Sequence, residues 1–236
     1  MGRSSFQFKQ FIIEQARCGM KVTTDSCLFG AWVASKMDTP NRILDIGAGT
    51  GLLSLMLAQD TRASIDAVEI EAECFIQLKE NLEASSFSEK IKPIHLDIKE
   101  FQNEQEYDVI ISNPPFHQDQ LQSVNEKVNY ARHDEGLTIE ELCRIASSLA
   151  HESGKIFILL PHYRKIEFQN LINLNGLHIQ ELITVSHSNK HLPFRVMFMV
   201  SKVDCPFHEE EIFIHDENGK YTDRFTGLLQ PYYLYL

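Results

Sequence analysis

The chain has 236 residues, a formal net charge of -11 and 43% hydrophobic content. That size and apolar content support one α/β domain with a true core, and the acidic balance excludes a general nucleic-acid binder that works by charge alone. The absence of any run of about 18 apolar residues excludes a membrane-spanning helix, and residues 1–6 lack the apolar stretch of a secretory signal.

In chain order, the first expected element is a helix capped by Thr24 or Asp25, with Leu28, Phe29, Trp32 and Val33 burying one face. Residues 42–46 form an apolar strand that breaks into Gly47-Ala48-Gly49-Thr50-Gly51, and residues 52–58 then read as a buried helix. A second strand, 63–68, ends in Glu69, and a third, 91–95, ends near Asp97. Residues 107–112 are a fourth buried strand, followed at once by Asn113-Pro114-Pro115-Phe116. Residues 137–150 form a helix with Thr138 as its cap. Residues 155–160 are a fifth strand, and 163–174 a helix stopped by Asn175-Gly176. Residues 177–185 and 195–201 are late strands with no long helix between them. No repeat or linker divides the chain.

Two of these turns carry chemistry. Glycines allow close approach to the backbone, and the helix after Gly51 offers free N–H groups. The Gly-x-Gly-x-Gly spacing is not the dinucleotide fingerprint, nor is it a phosphate loop. An acid about 20 residues after the glycines is placed to hold ribose hydroxyls, which is the position of Glu69. In Asn113-Pro114-Pro115-Phe116 the prolines lack N–H and have fixed φ. The corner therefore presents acceptors, the Asn113 amide oxygen and backbone carbonyls, beside an aromatic face. Such a corner suits a planar group bearing an NH2: adenine, cytosine, guanine or a carboxamide.

Together these features resemble the class I S-adenosylmethionine (SAM) methyltransferases over most of the chain. The resemblance implies a Rossmann-like α/β fold, with a mostly parallel seven-stranded sheet, an antiparallel last strand and helices on both faces. It implies that Asp45, Gly47, Gly49 and Gly51 receive the amino-acid end of SAM, that Glu69 holds the ribose, that Asp97 meets the adenine amine, and that Asn113, Pro114 and Phe116 serve the reacting amine. Residues 8–32, with Phe8, Phe11, Arg17, Lys21, Thr24, Asp25 and Trp32, and the tail from Tyr221 to Tyr235, are similar to the bacterial tRNA adenine-N6 methyltransferases that modify adenosine-37 of a valine tRNA. In that family the N-terminal segment covers the SAM pocket, with Lys21 beside the cofactor. The expectation is a single domain over 1–236, residues 1–37 covering a core of 38–236. One departure is His117, which is similar to the ribosomal-RNA guanine-N2 methyltransferases. Protein glutamine methyltransferases share the related Asn-Pro-Pro-Tyr, and a non-catalytic SAM- or RNA-binding protein is the alternative outside enzymes.

The local charge pattern adds a docking expectation. Arg3, Lys9, Arg17, Lys21 and Lys36 form one basic island; Lys190, Arg195 and Lys202 form another. If they meet near Asn113 they make a cationic patch on an acidic body. Arg17, Lys127, Arg132, Lys190 and Arg195 are the candidate RNA contacts, with Tyr130 as a stacking ring. His187 and His191 have no ligand-bearing neighbours in sequence, so no metal is expected. Cys18, Cys27, Cys74, Cys143 and Cys205 read as reduced thiols. The expected state is a cytoplasmic monomer that binds tRNA and no membrane.

Overall fold

The computed structural model describes residues 4–115 and 136–236. The expectations for Arg3, Phe116, His117, Lys127, Tyr130 and Arg132 fall outside the described residues.

A small hairpin of β1 (Ser5–Gln7) and β2 (Ile12–Glu14) precedes the sheet. Its strands are β3 (Arg42–Ile46), β4 (Ser64–Glu69), β5 (Ile91–His95), β6 (Tyr107–Ser112), β7 (Ala150–Pro161), β8 (His178–Ser186), β9 (Arg195–Ser201) and β10 (His208–Phe213). The helices are α1 (Thr24–Lys36), α2 (Leu52–Asp60), α3 (Ala72–Glu83), α4 (Ile139–Leu149), α5 (Lys165–Leu174) and α6 (Asp223–Leu229). The eight strands lie in the order β10-β8-β9-β7-β6-β3-β4-β5. β9 runs antiparallel to β7 and β8, and the remaining pairings are parallel.

The sheet is mostly parallel, as expected, but has one strand more than the seven anticipated. The addition is β10, parallel to β8 at the edge. Its sequence, His208-Glu209-Glu210-Glu211-Ile212-Phe213, carries three consecutive acids and so lacks the alternation that marks a strand. Edge position makes this tolerable, because polar side chains there reach water.

The central strands are apolar without interruption because both sheet faces are covered. Ile43, Val109, Ile111, Phe157 and Leu159 join one core with side chains of α1, α2, α3 and α6. Leu44, Ile46, Ile110, Ile156, Ile158 and Leu160 join the other with α4 and α5. The period-2 alternation of strand side chains sorts neighbours into opposite layers.

α1 departs from expectation in two ways. Thr23, not Thr24 or Asp25, is its N-cap: its backbone is extended (φ -122, ψ 155) and its side chain accepts the Ser26 N–H. Asp25 falls inside the first turn and turns to Arg195 instead. The helix is also buried around its circumference from Asp25 to Val33 rather than along one stripe. It packs against β7, α2 and α6 together, and Trp32 meets Phe157 edge-on at 5.4 Å. Thr138 caps α4 as expected, in a capping box with Glu141. Cys18 and Cys74 are joined, Cα atoms 4.8 Å apart, against the expectation of five separate thiols. A pair 56 residues apart in sequence leaves no spacing signal.

Candidate active site

β3 sits at the topological switch. The chain steps from β3 to β4 and β5 on one side, then returns to place β6 on the other. In open α/β sheets the crevice at the carboxyl ends of such strands is where ligands bind. The glycine turn follows β3, Glu69 ends β4, Asp97 follows β5 and Asn113 follows β6, so the topology collects the predicted positions at that edge.

The glycine turn is held by Gly47 and Ala48 N–H groups donating to the Val68 carbonyl, each at 2.9 Å. Gly47, Gly49 and Gly51 have φ of 74, 56 and 82, the left-handed region that side chains avoid. At Gly51 a Cβ would also lie 2.7 Å from Leu78. Glu69, only 7% exposed, closes the turn: it accepts Gly49 N–H at 2.7 Å on one oxygen and Glu71 N–H at 2.8 Å on the other. Each oxygen keeps lone-pair capacity for a further donor.

Asp45 is fully buried. Ser54 donates to one of its oxygens at 2.7 Å, and its Oδ1 has no partner. Burial, and secondarily the charge of Glu69, push its carboxyl up to about 7 while the Ser54 hydrogen bond opposes the rise. A buried acceptor without a donor is costly. Beside a turn where added Cβ atoms at Gly47 and Gly49 would meet nothing within 4 Å, it fits a cationic or N–H-bearing ligand group, such as the amino-acid end of SAM. Asp97 accepts the Lys99 N–H at 2.9 Å on one oxygen, as the cap of a single helical turn, and pairs with the Lys99 ammonium at 3.7 Å on the other.

The N-terminal segment lies across α3 and the glycine turn. Asn81 donates to the Glu14 carbonyl at 2.8 Å and to the Thr50 carbonyl at 2.9 Å, and accepts Glu14 N–H at 2.9 Å. Lys21 donates to the carbonyls of Gln15 and, at 2.8 Å, Cys18. Its ammonium therefore fastens this segment to itself.

Asn113 borders a cleft of ≈ 150 Å³ together with Met20, Thr23, Pro161, Tyr163 and Arg195. Its Nδ2 donates to Ser26 Oγ at 3.0 Å and faces Met20 Sδ at 3.8 Å. Among the described residues none donates to its Oδ1. Tyr163 is 67% exposed and offers a ring to the cleft. A second cavity, lined by Pro40, Asp108 and Lys155 among others, lies at the amino ends of β3 and β6, away from these groups.

The two basic islands are not brought together there: among the described residues Arg195 is their one member lining the cleft, and it stands in an ion pair. Arg195 donates to Asp25 at 2.6 Å and lies over the Phe194 ring. Arg17 is bridged to Glu73 and Glu80 of α3 at 3.1 and 3.6 Å, and Lys36 to Glu181 at 2.6 Å. Lys190 is exposed in the β8–β9 turn. Sequence reasoning missed Met20, Ser26 and Tyr163. The first two meet Asn113 from about 90 residues away in sequence, as the 87-residue separation of Ser26 and Asn113 shows. Glu181, His208 and Glu210 bring ligand-type atoms within 4.8 Å of one another, but Lys36 and Arg224 already pair with the two carboxylates.

Residues 28–167 match the family described as Methyltransferase small domain. A tRNA1(Val) (adenine(37)-N6)-methyltransferase of Dyadobacter fermentans is 42% identical over 234 residues, 97% of each chain. A protein of the same name from Trichodesmium erythraeum is 36% identical over 239 residues, 99% of each. Among solved structures, a predicted O-methyltransferase from Agrobacterium tumefaciens superimposes with a TM-score of 0.67 at 16% identity, over 87% of this chain and 95% of that one. A putative RNA methyltransferase from Pyrococcus horikoshii gives 0.54 at 21% identity, over 77% and 83%. The structural likenesses establish the fold. The near-full-length sequence relatives establish more: the chain belongs to the tRNA1(Val) (adenine(37)-N6)-methyltransferase family of SAM-dependent enzymes.

Proposed function

We propose that the protein methylates N6 of adenosine-37, beside the anticodon of a valine tRNA. The observation that carries this reading is Asn113, which borders a cleft at the carboxyl end of a strand paired directly with β3, the strand that leads into the glycine turn, its amide oxygen without a described donor. SAM supplies a methyl group activated on a sulfonium.

Asp45, beside the unobstructed Gly47 and Gly49 positions of the glycine turn, would hold the amino-acid end, Glu69 the ribose hydroxyls and Asp97 the adenine amine of that cofactor. Residues 1–37 cover the pocket, with Asn81 fastening Glu14 to Thr50 across its rim. The lone pair of N6 in the substrate base is delocalised into the ring and is a poor nucleophile. Asn113 Oδ1 and the Pro114 carbonyl would accept hydrogen bonds from the two N6–H groups, orienting the amine toward the methyl donor and raising electron density on nitrogen. As the N–C bond forms the sulfonium S–C bond would break, leaving a thioether, and one N6 proton would pass to water. Tyr163, exposed on the cleft wall, is a further ring able to stack on the flipped base, in addition to Phe116, to which the sequence points for that role. Anticodon-loop bases cost little to extrude. A cytoplasmic site of action accompanies this substrate. Among the described residues no helix is long and apolar enough to cross a membrane.

The test is transfer of label from methyl-labelled SAM to separated tRNA, ribosomal RNA and protein. Label in the tRNA fraction is the expected result. Label confined to ribosomal RNA or protein would overturn the assignment in favour of a guanine-N2 or glutamine methyltransferase.

A further inference from the structure

An asparagine amide works as an acceptor toward substrate only if its oxygen, not its NH2, faces the cleft. Nothing intrinsic to the side chain decides this, since the two ends are nearly the same shape. Here the neighbours decide. Nδ2 of Asn113 points at Ser26 Oγ, 3.0 Å away, and at Met20 Sδ, 3.8 Å away. A thioether sulfur accepts but never donates. A flipped amide would set its oxygen against that sulfur, with no hydrogen between them. Ser26 Oγ also contacts Thr23 Oγ1 at 2.7 Å, so its single hydrogen has an acceptor in Thr23 and its lone pairs are left for Asn113. Ser26 is 4% exposed and fixed in the first turn of α1.

We propose that Ser26, assisted by Met20, is a positioning residue that locks the Asn113 amide with its oxygen toward the substrate amine. The N-terminal segment then orients the reacting group as well as covering the cofactor. This inference rests on Asn113 being the amine acceptor, as proposed above.

The experiment compares Ser26→Ala, Asn113→Ala and the double variant in single-turnover methylation of tRNA with labelled SAM, alongside SAM affinity and thermal stability. Ser26→Ala is expected to lower the methyl-transfer rate about tenfold, the scale of one lost hydrogen bond, with SAM affinity within about twofold of the parent. In the Asn113→Ala background Ser26→Ala is expected to add less than about twofold, since its effect passes through Asn113. An unchanged rate in Ser26→Ala, a parallel loss of SAM affinity, or effects that multiply in the double variant would each overturn the positioning role. Near-parental activity in Asn113→Ala would instead refute the reading on which it rests.

Discussion

At the scale of single residues, two side chains carry most of the proposed chemistry. Asn113→Ala is expected to reduce transfer by about 10² to 10³, by analogy with loss of one group aimed at the reacting centre, with SAM affinity largely retained. Measuring kcat and the SAM dissociation constant separately checks this, and loss of both together would contradict it. Asp45 makes a pH prediction. Its carboxyl is raised from 3.8 to about 7. Between those values the folded protein holds a proton that the unfolded chain gives up, so without ligand this group's contribution to stability falls as pH rises through that window. A ligand ammonium needs Asp45 ionised. SAM affinity should therefore increase by up to about tenfold per unit as pH rises from about 5.5 toward 7, for one proton released on binding, and Asp45→Asn should flatten the profile in calorimetric titrations.

Elements determine how these residues meet. The Arg195–Asp25 pair ties the first turn of α1 to the start of β9, and the Asp25 side chain is only 11% exposed. Removing the guanidinium leaves a largely buried carboxylate unpaired. Arg195→Gln should therefore cost about 2 kcal/mol, discounted from the fully buried case for partial exposure, and lower Tm by about 4–8 °C. An arginine serving only to bind phosphate would leave Tm of the free protein unchanged. The carboxyl-edge turns were legible in sequence because glycine and proline encode backbone geometry locally, as at Gly47–Gly51 and Asn113–Pro115. The Thr138 cap was legible for the same reason. Thr23, β10 and the Ser26–Asn113 contact were not. Thr23 competes with two equally suitable neighbours, β10 has no hydrophobic alternation, and the last is a tertiary contact between residues 87 apart in sequence.

For the whole molecule, the net charge of -11 requires that tRNA docking depend on few cations. Two that sequence assigned to RNA are already paired with carboxylates: Arg195 with the largely buried Asp25, and Arg17, at the surface, with Glu73 and Glu80. Among the described candidates Arg17 and Lys190 are both exposed, and Lys190, in the turn leading to the cleft-lining Arg195, is the one without an ion pair. Lys190→Gln is expected to weaken tRNA binding and to flatten the dependence of log affinity on log salt by about 0.7–0.9, the loss of one phosphate contact. Binding isotherms over a salt series check this, and an unchanged slope would move the docking surface elsewhere.

The central claim is the identity of the methylated atom. The most direct measurement is to methylate an unmodified valine tRNA with the purified protein and SAM, digest it, and identify and map the modified nucleoside by mass spectrometry. N6-methyladenosine at position 37, absent with Asn113→Ala, is the expected product. N2-methylguanosine, or methyladenosine at another position, would contradict it.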